Sequence, residues 1–117
     1  MPNQQPDLDR LFQALADPTR RGMLERLSRG PASVGELAAP LSMALPSVMQ
    51  HLRLLESSGL VTTHKAGRVR TCHLRPQALS EAERWIRSRR AQWDRQLDRL
   101  ADYLDETRPP HSTGETP

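Results

Sequence analysis

The side chains best suited to chemistry in this 117-residue chain lie in one short segment, residues 44–57. At 3.6 residues per turn, Gln50 and Arg53 lie on the side of a helix opposite its apolar residues. The apolar side consists of Val48, Leu52 and Leu55. In a DNA major groove, arginine can pair with guanine and glutamine with adenine. The segment therefore predicts a recognition helix, with Ser47 at its flank in contact with phosphate.

Other residues of this helix carry more than one interpretation. The helical wheel turns His51 toward the apolar side, so packing inside the domain and contact with DNA both remain open, and we keep His51 as a candidate contact. Ala44 has no side-chain oxygen with which to cap the helix. Leu45 or Met49 offers apolar contact to thymine methyl groups, which is a hypothesis about specificity.

A predicted β-hairpin follows the helix directly. Two β-branched runs, Leu60–His64 and Val69–Leu74, flank a turn in which Gly67 can adopt the positive φ of a tight hairpin. Three cations lie at or beside the tip, namely Lys65, Arg68 and Arg70. These side chains would bind phosphate or enter the minor groove, which positions a protein without reading sequence.

Basic charge is concentrated on the helix and the hairpin. Between Leu45 and Arg75 there are five Lys or Arg against a single acid, Glu56, a local charge of +4, whereas the whole chain carries +3. This pattern is typical of a surface that binds nucleic-acid phosphates. The alternative is a solvated hairpin whose charges only prevent edge-to-edge strand pairing.

The segments before the recognition helix predict three further helices. A first helix over residues 7–16 follows a predicted disordered tail at residues 1–6 and carries one apolar face, formed by Leu8, Leu11, Phe12 and Leu15. Asp17 as N-cap and Pro18 as first residue begin the second helix. Ser33 and Glu36, at capping-box spacing, begin the third. A helix, a short turn and the recognition helix together predict a helix-turn-helix.

A long final helix is predicted from Pro76 to Glu106. Its apolar residues include Trp93, Leu97, Leu100 and Leu104, whose 4-3-4 spacing places them in a stripe along one side of the helix. Since a helix of this length needs a partner along its stripe, we expect a two-fold homodimer. The first helix would add its apolar face to that interface. The alternative is a final helix that folds back on its own domain.

Together these elements predict a mainly α fold with a small two-stranded β-wing at residues 61–74, in the order α-α-α-α-β-β-α. The fold forms one domain over residues 7–106, followed by a disordered tail at 107–117. No apolar run approaches a membrane span and no hydrophobic signal core is visible, so the protein is expected in the cytoplasm without a membrane partner. Neither a nucleophile elbow nor a phosphate loop is visible, so no enzyme is predicted.

The run from Leu11 to Leu74 resembles the winged helix-turn-helix regulators of the ArsR/SmtB type. The matching elements are residues 14–21, 36–38, 50–52, 55 and 59–61 and the wing tip at 67–68. The spacing of Trp85 and Trp93 is similar to the subgroup without recognised metal ligands. The resemblance implies a dimeric bacterial transcriptional regulator, usually a repressor of its own operon, that binds double-stranded DNA at an imperfect inverted repeat. It also implies an inducer or modification, which the sequence does not identify.

The resemblance also implies where metal ligands would lie, and this chain lacks them. A thiolate sensor carries a Cys-x-Cys pair on the helix before the recognition helix, where residues 33–41 have no cysteine. The other common site needs histidine on the final helix, and none lies between Pro76 and Glu106. No metal or cofactor is therefore predicted. Three alternatives remain: a hairpin metal site from His64 with Cys72 or His73, a redox switch at Cys72, and a winged-helix module that binds another protein.

Overall fold

A computed structural model describes residues 5–107, which fall into two compact units with the boundary between residues 83 and 84. The first helix begins at Gln5, two residues before the predicted start, and the last helix ends at Thr107. The rest of the two predicted tails, residues 1–4 and 108–117, lies outside the described residues.

The described elements are α1 (Gln5–Leu15), α2 (Pro18–Leu27), β1 (Ala32–Ser33), α3 (Val34–Ala38), α4 (Leu45–Ser57), β2 (Val61–Ala66), β3 (Val69–Leu74), a 3-10 turn (Pro76–Ala78) and α5 (Leu79–Thr107). The mainly α fold with a β-wing is confirmed, but the two-stranded sheet is wrong. Three antiparallel strands form the sheet, in the order β1-β3-β2. The chain entering α3 is extended, and Ala32 pairs with Cys72 on the edge of β3 that β2 leaves free.

The helix starts follow the local signals in the sequence. The Asp17 carboxylate accepts the Arg20 amide at 3.1 Å, and Pro18 is the first residue of α2. At α3, the Ser33 amide donates to the Glu36 carboxylate at 2.8 Å and the Glu36 amide to the Ser33 hydroxyl at 3.0 Å. Both predicted caps are confirmed, because capping depends on residues only three positions apart.

The core of the first unit lies between its four short helices and the sheet. Its fully buried large side chains are Leu11, Leu52, Leu55, Leu60, Val48, Val61 and Cys72. The apolar side predicted for α4 supplies three of these residues, so its orientation is confirmed. Leu11 from α1 joins the same cluster, together with Ala82 from the first turn of α5.

The hairpin of β2 and β3, called the wing from here on, spans the predicted residues 61–74 but has a shorter turn than predicted. Ala66 pairs with Val69, which leaves a two-residue turn at Gly67 and Arg68. Gly67 has φ +64°, a conformation that costs a glycine little and other residues more. The amide of Arg75 donates to the carbonyl of Leu60 at 2.7 Å and closes the base of the wing.

The second unit, as far as the structure describes it, is the helix formed by residues 84–107 of α5. The guanidinium of Arg89 lies 5.8 Å from the centre of the Trp85 ring, within range of a cation–π interaction. Among residues 5–107, no helix combines the length and the apolar character needed to cross a bilayer.

Candidate nucleic-acid interface

Helix α4 presents the predicted polar face to solvent. Ser47, Gln50 and Arg53 are all exposed, while the opposite side of the helix is buried in the core. Ala44 forms the N-cap without a side-chain hydrogen bond, and its carbonyl accepts the amides of Ser47 and Val48. Because three donor or acceptor side chains project from one helix face, this face has the chemistry needed to bind base edges and phosphates.

The wing cations lie beside the start of this helix. Lys65, Arg68 and Arg70 are exposed on β2, the turn and β3. A groove of about 430 Å³ separates these cations from the first turns of α4. The side chains of Leu45, Met49, Lys65, Arg68, Val69 and Arg70 line it, together with the start of α3. The first unit therefore combines an apolar groove floor and a cationic rim next to the polar face of α4.

Leu45 and Val69 are notable on this surface because both are large, apolar and solvent-exposed. Leu45 is 58 % exposed and Val69 is 53 % exposed, and both line the groove. Exposed apolar side chains that adjoin one another often mark a binding surface. Their position is compatible with the hypothesis of thymine-methyl contact from Leu45; Met49, the other candidate, is half-buried.

Arg70 differs from the other wing cations because its guanidinium has a partner inside the protein. It donates to the Thr63 hydroxyl at 2.9 Å, and that hydroxyl donates to the Glu56 carboxylate at 2.6 Å. This chain of hydrogen bonds links the last turn of α4 to both strands of the wing. It fixes the position of Arg70 relative to the recognition helix.

The structure also places the histidine whose role the sequence left open. Nδ1 of His51 lies 3.0 Å from the Arg20 guanidinium and 4.0 Å from the Asp17 carboxylate. The side chain is 19 % exposed. His51 is therefore anchored inside the domain through one nitrogen.

Sequence reasoning missed the role of Arg20, which is only 8 % exposed. Its guanidinium donates to the carbonyls of Gln13 and Ala14 at 2.8 and 3.1 Å, and so satisfies the last turn of α1. The available signal was helical spacing, since Arg20 shares the buried side of α2 with Met23 and Leu27. A charged residue at such a position needs internal partners.

Cys72 does not have the surroundings of a reactive thiol. It is fully buried in the core and is paired on one side with Ala32 and on the other with Thr63. Burial raises the pKa of the Cys72 thiol, the Glu56 carboxylate raises it further, and Arg70 offsets this only in part. Since the thiolate is the reactive form, these surroundings disfavour the alternative of a redox switch at Cys72.

The two histidines of the wing lie close together, but they lack the further side chains that a metal site would need in the described part of the chain. The rings of His64 and His73 are 5.2 Å apart, edge to face. Cys72 lies between strands on the buried side, whereas its neighbour His73 points to the other side of the sheet. Within residues 5–107, no three His, Cys, Asp or Glu side chains come together in a way that could hold a metal ion.

The predicted dimer residues divide into two groups. Trp93, Leu97, Leu100 and Leu104 of the second unit are all exposed, between 52 and 62 %. Leu8 and Leu11 of α1 are instead buried within the protomer, which leaves little of their surface for a dimer interface. The face of α1 that carries Leu11 packs on α4 and α2 rather than remaining free. Phe12 and Leu15 are half-buried.

Comparison with known proteins agrees with this geometry. A family model described as a helix-turn-helix domain matches residues 15–64. The chain is 44 % identical to the HTH-type transcriptional regulator Rv2034 of Mycobacterium tuberculosis over 83 % of its own length and 88 % of the relative. It is 28 % identical to the transcriptional repressor SdpR of Bacillus subtilis, over 68 % and 88 % of the two chains. These relatives are named for regulation of transcription, a role without a catalytic step.

Solved structures show the same fold in related chains. The crystal structure of an ArsR family transcriptional regulator superposes with a TM-score of 0.75 at 51 % identity, over 80 % of this chain and 97 % of the other. An ArsR-like regulator from Rhodococcus sp. RHA1 gives 0.72 at 31 % identity, over 89 % and 95 %. With its polar recognition helix and cationic wing, the chain belongs to the ArsR/SmtB-type winged helix-turn-helix transcriptional regulators.

Proposed function

We propose that this regulator binds an imperfect inverted repeat in double-stranded DNA as a two-fold homodimer. Each protomer would place α4 in a major groove and the wing on the backbone or in the minor groove. The observation that carries this proposal is the junction of the exposed polar face of α4 with the cationic rim of the wing across one groove. Residues 7–106 would then act as a single DNA-binding and dimerisation domain.

The side chains of this surface would divide the work of recognition. Gln50 suits adenine and Arg53 suits guanine, because each can form two hydrogen bonds to the base edge. Ser47 at the flank and Lys65 and Arg68 on the wing would bind phosphates, which supply affinity rather than sequence preference. Arg70 would bind phosphate from the position that Thr63 and Glu56 give it.

Dimerisation would cover the apolar stripe of the second unit. Trp93, Leu97, Leu100 and Leu104 recur every three or four residues along residues 84–107, so they lie on one side of that helix. Four large apolar side chains, each more than half exposed, form a patch that favours association with a second copy. Phe12 and Leu15, which are half-buried, would extend the interface from α1.

Repression is the regulatory role we propose, because the relative SdpR is named as a transcriptional repressor. Its own operon is the target that the resemblance to ArsR/SmtB-type regulators implies. A repressor of this kind would bind the promoter just upstream of its gene and block transcription there. Footprinting on that promoter, repeated with a panel of metals, oxidants and small molecules, would identify both the operator and the inducing signal.

The experiment that tests the proposal is binding of the purified chain to duplex DNA at several salt concentrations. We expect tight binding at low ionic strength and a linear fall of log K with log salt, of about 0.9 for each phosphate neutralised. A single protected inverted repeat in the footprint would support dimeric recognition. The absence of duplex binding at low salt would overturn the proposal and leave a protein-interaction module as the function of the surface.

A further inference from the structure

The guanidinium of Arg20 makes one ring nitrogen of His51 a hydrogen-bond acceptor. All three nitrogen atoms of its guanidinium have an acceptor: Nε the carbonyl of Ala14, one terminal nitrogen the carbonyl of Gln13, and the other Nδ1 of His51 at 3.0 Å. A guanidinium is only a donor, so Nδ1 must be the acceptor of this hydrogen bond. In the neutral ring, the proton then lies on Nε2.

The nearby carboxylate of Asp17 does not reverse this assignment. A proton on Nδ1 would face Asp17 at 4.0 Å, which is beyond hydrogen-bond distance, and would point at a cationic donor only 3.0 Å away. Asp17 instead accepts the backbone amide of Arg20 as the cap of α2. The shorter contact therefore decides which ring nitrogen carries the proton.

The second ring nitrogen, Nε2, is not buried away from solvent. Among the described residues no hydrogen bond to Nε2 is found, and Nε2 is not one of the buried polar atoms without a partner. His51 follows the exposed Ser47 by four positions, so the two side chains are neighbours on the surface of α4. The N–H of Nε2 is thus a donor with fixed orientation at the edge of the recognition face.

We propose that Arg20 acts as a positioning residue that holds His51 as the Nε2–H tautomer, and that this N–H donates to a DNA phosphate when α4 docks. The inference rests on the function proposed above and adds to it a contact of a distinct kind. A neutral donor contributes a hydrogen bond to phosphate but releases no counterion. Its removal should therefore lower affinity without changing the salt dependence of binding.

Two substitutions separate the roles of the two ring nitrogens. His51→Asn keeps an acceptor oxygen near the place of Nδ1 and removes the distal N–H. We expect a stable protein whose affinity for duplex DNA falls roughly tenfold, as for loss of one hydrogen bond to a charged group, with an unchanged salt slope. His51→Gln restores a distal amide donor but offers Arg20 no acceptor at Nδ1. We expect it to bind more tightly than His51→Asn and to unfold at a lower temperature.

The tautomer has a spectroscopic readout that does not depend on DNA. Nitrogen-15 NMR of the full chain at neutral pH should show Nδ1 of His51 without a proton and Nε2 with one. In Arg20→Met, which removes the donor, the ring should lose this preference. Gln77→Ala, a change of an exposed polar side chain in the 3-10 turn outside α4 and the wing, serves as the control and should leave affinity unchanged.

Several outcomes would overturn the inference. His51→Asn could bind DNA as tightly as the wild type, which would exclude the phosphate contact. The salt slope could fall by about one, which would show a charged ring in the complex. A wild-type ring protonated on Nδ1 would exclude the role of Arg20. A wild-type chain that binds no duplex would instead overturn the proposed function and the phosphate contact together. The NMR measurement would still test whether Arg20 sets the tautomer of His51.

Discussion

The hydroxyl of Thr63 donates a hydrogen bond of 2.6 Å to the carboxylate of Glu56, and so joins the wing to the last turn of the recognition helix. The same hydroxyl accepts the guanidinium of Arg70 at 2.9 Å. A rigid relation between helix and wing matters in a protein that must place both on one DNA duplex. Thr63 is therefore a residue whose effect on binding need not involve direct contact with DNA.

Thr63→Val tests this link, because valine keeps the β-branched shape and loses the hydroxyl. We expect a loss of about 1 kcal/mol or less in the free energy of unfolding, since the hydrogen bonds are near the surface. Affinity should fall for operator and unrelated duplexes alike, because Arg70 is assigned to phosphate. Urea denaturation and fluorescence anisotropy measure the two effects. Thr62→Val is the control, since no hydrogen bond from that hydroxyl is found among the described residues, and an equal loss there would contradict the assignment.

The division between base and phosphate contacts predicts two kinds of variant. Gln50→Ala should cost on the order of 1–3 kcal/mol in operator binding and reduce the preference for operator over unrelated DNA. Arg68→Ala should weaken all sequences alike and reduce the salt slope by about one. Titrations of both duplexes at several salt concentrations measure these quantities. Altered specificity in Arg68→Ala with unchanged specificity in Gln50→Ala would reverse our assignment.

Contact between Leu45 and thymine methyl groups predicts a response to a change in the DNA alone. Replacement of single operator thymines by uracil removes one methyl group, and burial of such a group is worth about 0.8 kcal/mol. We expect a severalfold loss of affinity at the contacted position for the wild type. In Leu45→Ala the same replacement should have little effect, because the apolar partner is gone. Equal losses in both proteins would show that another residue, or none, touches the methyl group.

Much of this surface could be predicted from local sequence because its signals are local. Capping at Asp17 and Ser33 acts within one turn, and the turn at Gly67 requires only a positive φ. The two faces of α4 follow from helical periodicity and a single core. Each of these features depends on residues close together in the chain.

The features that sequence reasoning missed depend on distant partners. Ala32 and Ser33 form a strand only because β3, some forty residues later, leaves an edge free, and two residues are too few to show alternation. Arg20 can be buried because the end of α1 and His51 supply hydrogen-bond acceptors for its guanidinium. The residues next to Arg20 in the sequence do not indicate these acceptors. A leucine such as Leu11 suits a core and a dimer interface equally well. Only the packing of α1 on α4 shows that Leu11 belongs to the core.

The capping carboxylate of Asp17 should make the stability of the folded protein depend on pH. Hydrogen bonding to the backbone amide of Arg20 is the largest cause that lowers the pKa of Asp17 below its ordinary value of 3.8. A lowered pKa in the folded state means that this contribution is fully present above the ordinary value and is lost as the pH falls through the folded-state value. We therefore expect the wild type to lose stability below about pH 3.8 more steeply than Asp17→Asn. Asparagine still caps the helix but does not titrate.

Thermal unfolding of the two proteins between pH 2 and pH 7 would measure this difference, in steps of about half a unit. Glu36, whose pKa is also lowered by its capping bonds to Ser33, titrates in both proteins and so cancels in the comparison. Parallel stability curves for the wild type and Asp17→Asn would show that the carboxylate charge of Asp17 does not contribute.

The apolar stripe of the second unit makes the prediction on which dimeric recognition depends. Leu97 and Leu100 are 62 and 52 % exposed, so their replacement by glutamate need not disturb the core of the protomer. The double variant Leu97→Glu/Leu100→Glu should be a folded monomer, because four carboxylates would meet in a two-fold interface. Its affinity for the full inverted repeat should fall to near that for a single half-site, since the second contact is no longer tethered to the first.

Analytical ultracentrifugation and titration of full and half operators measure both effects. Arg95→Glu is a matched control, because it changes the charge by the same −2 as the double variant and lies on the other side of the helix from the stripe. The control should remain dimeric and differ from the wild type only through its altered charge. If the wild type were a monomer that bound the full operator no better than a half-site, the stripe would have another partner than a second copy of this chain.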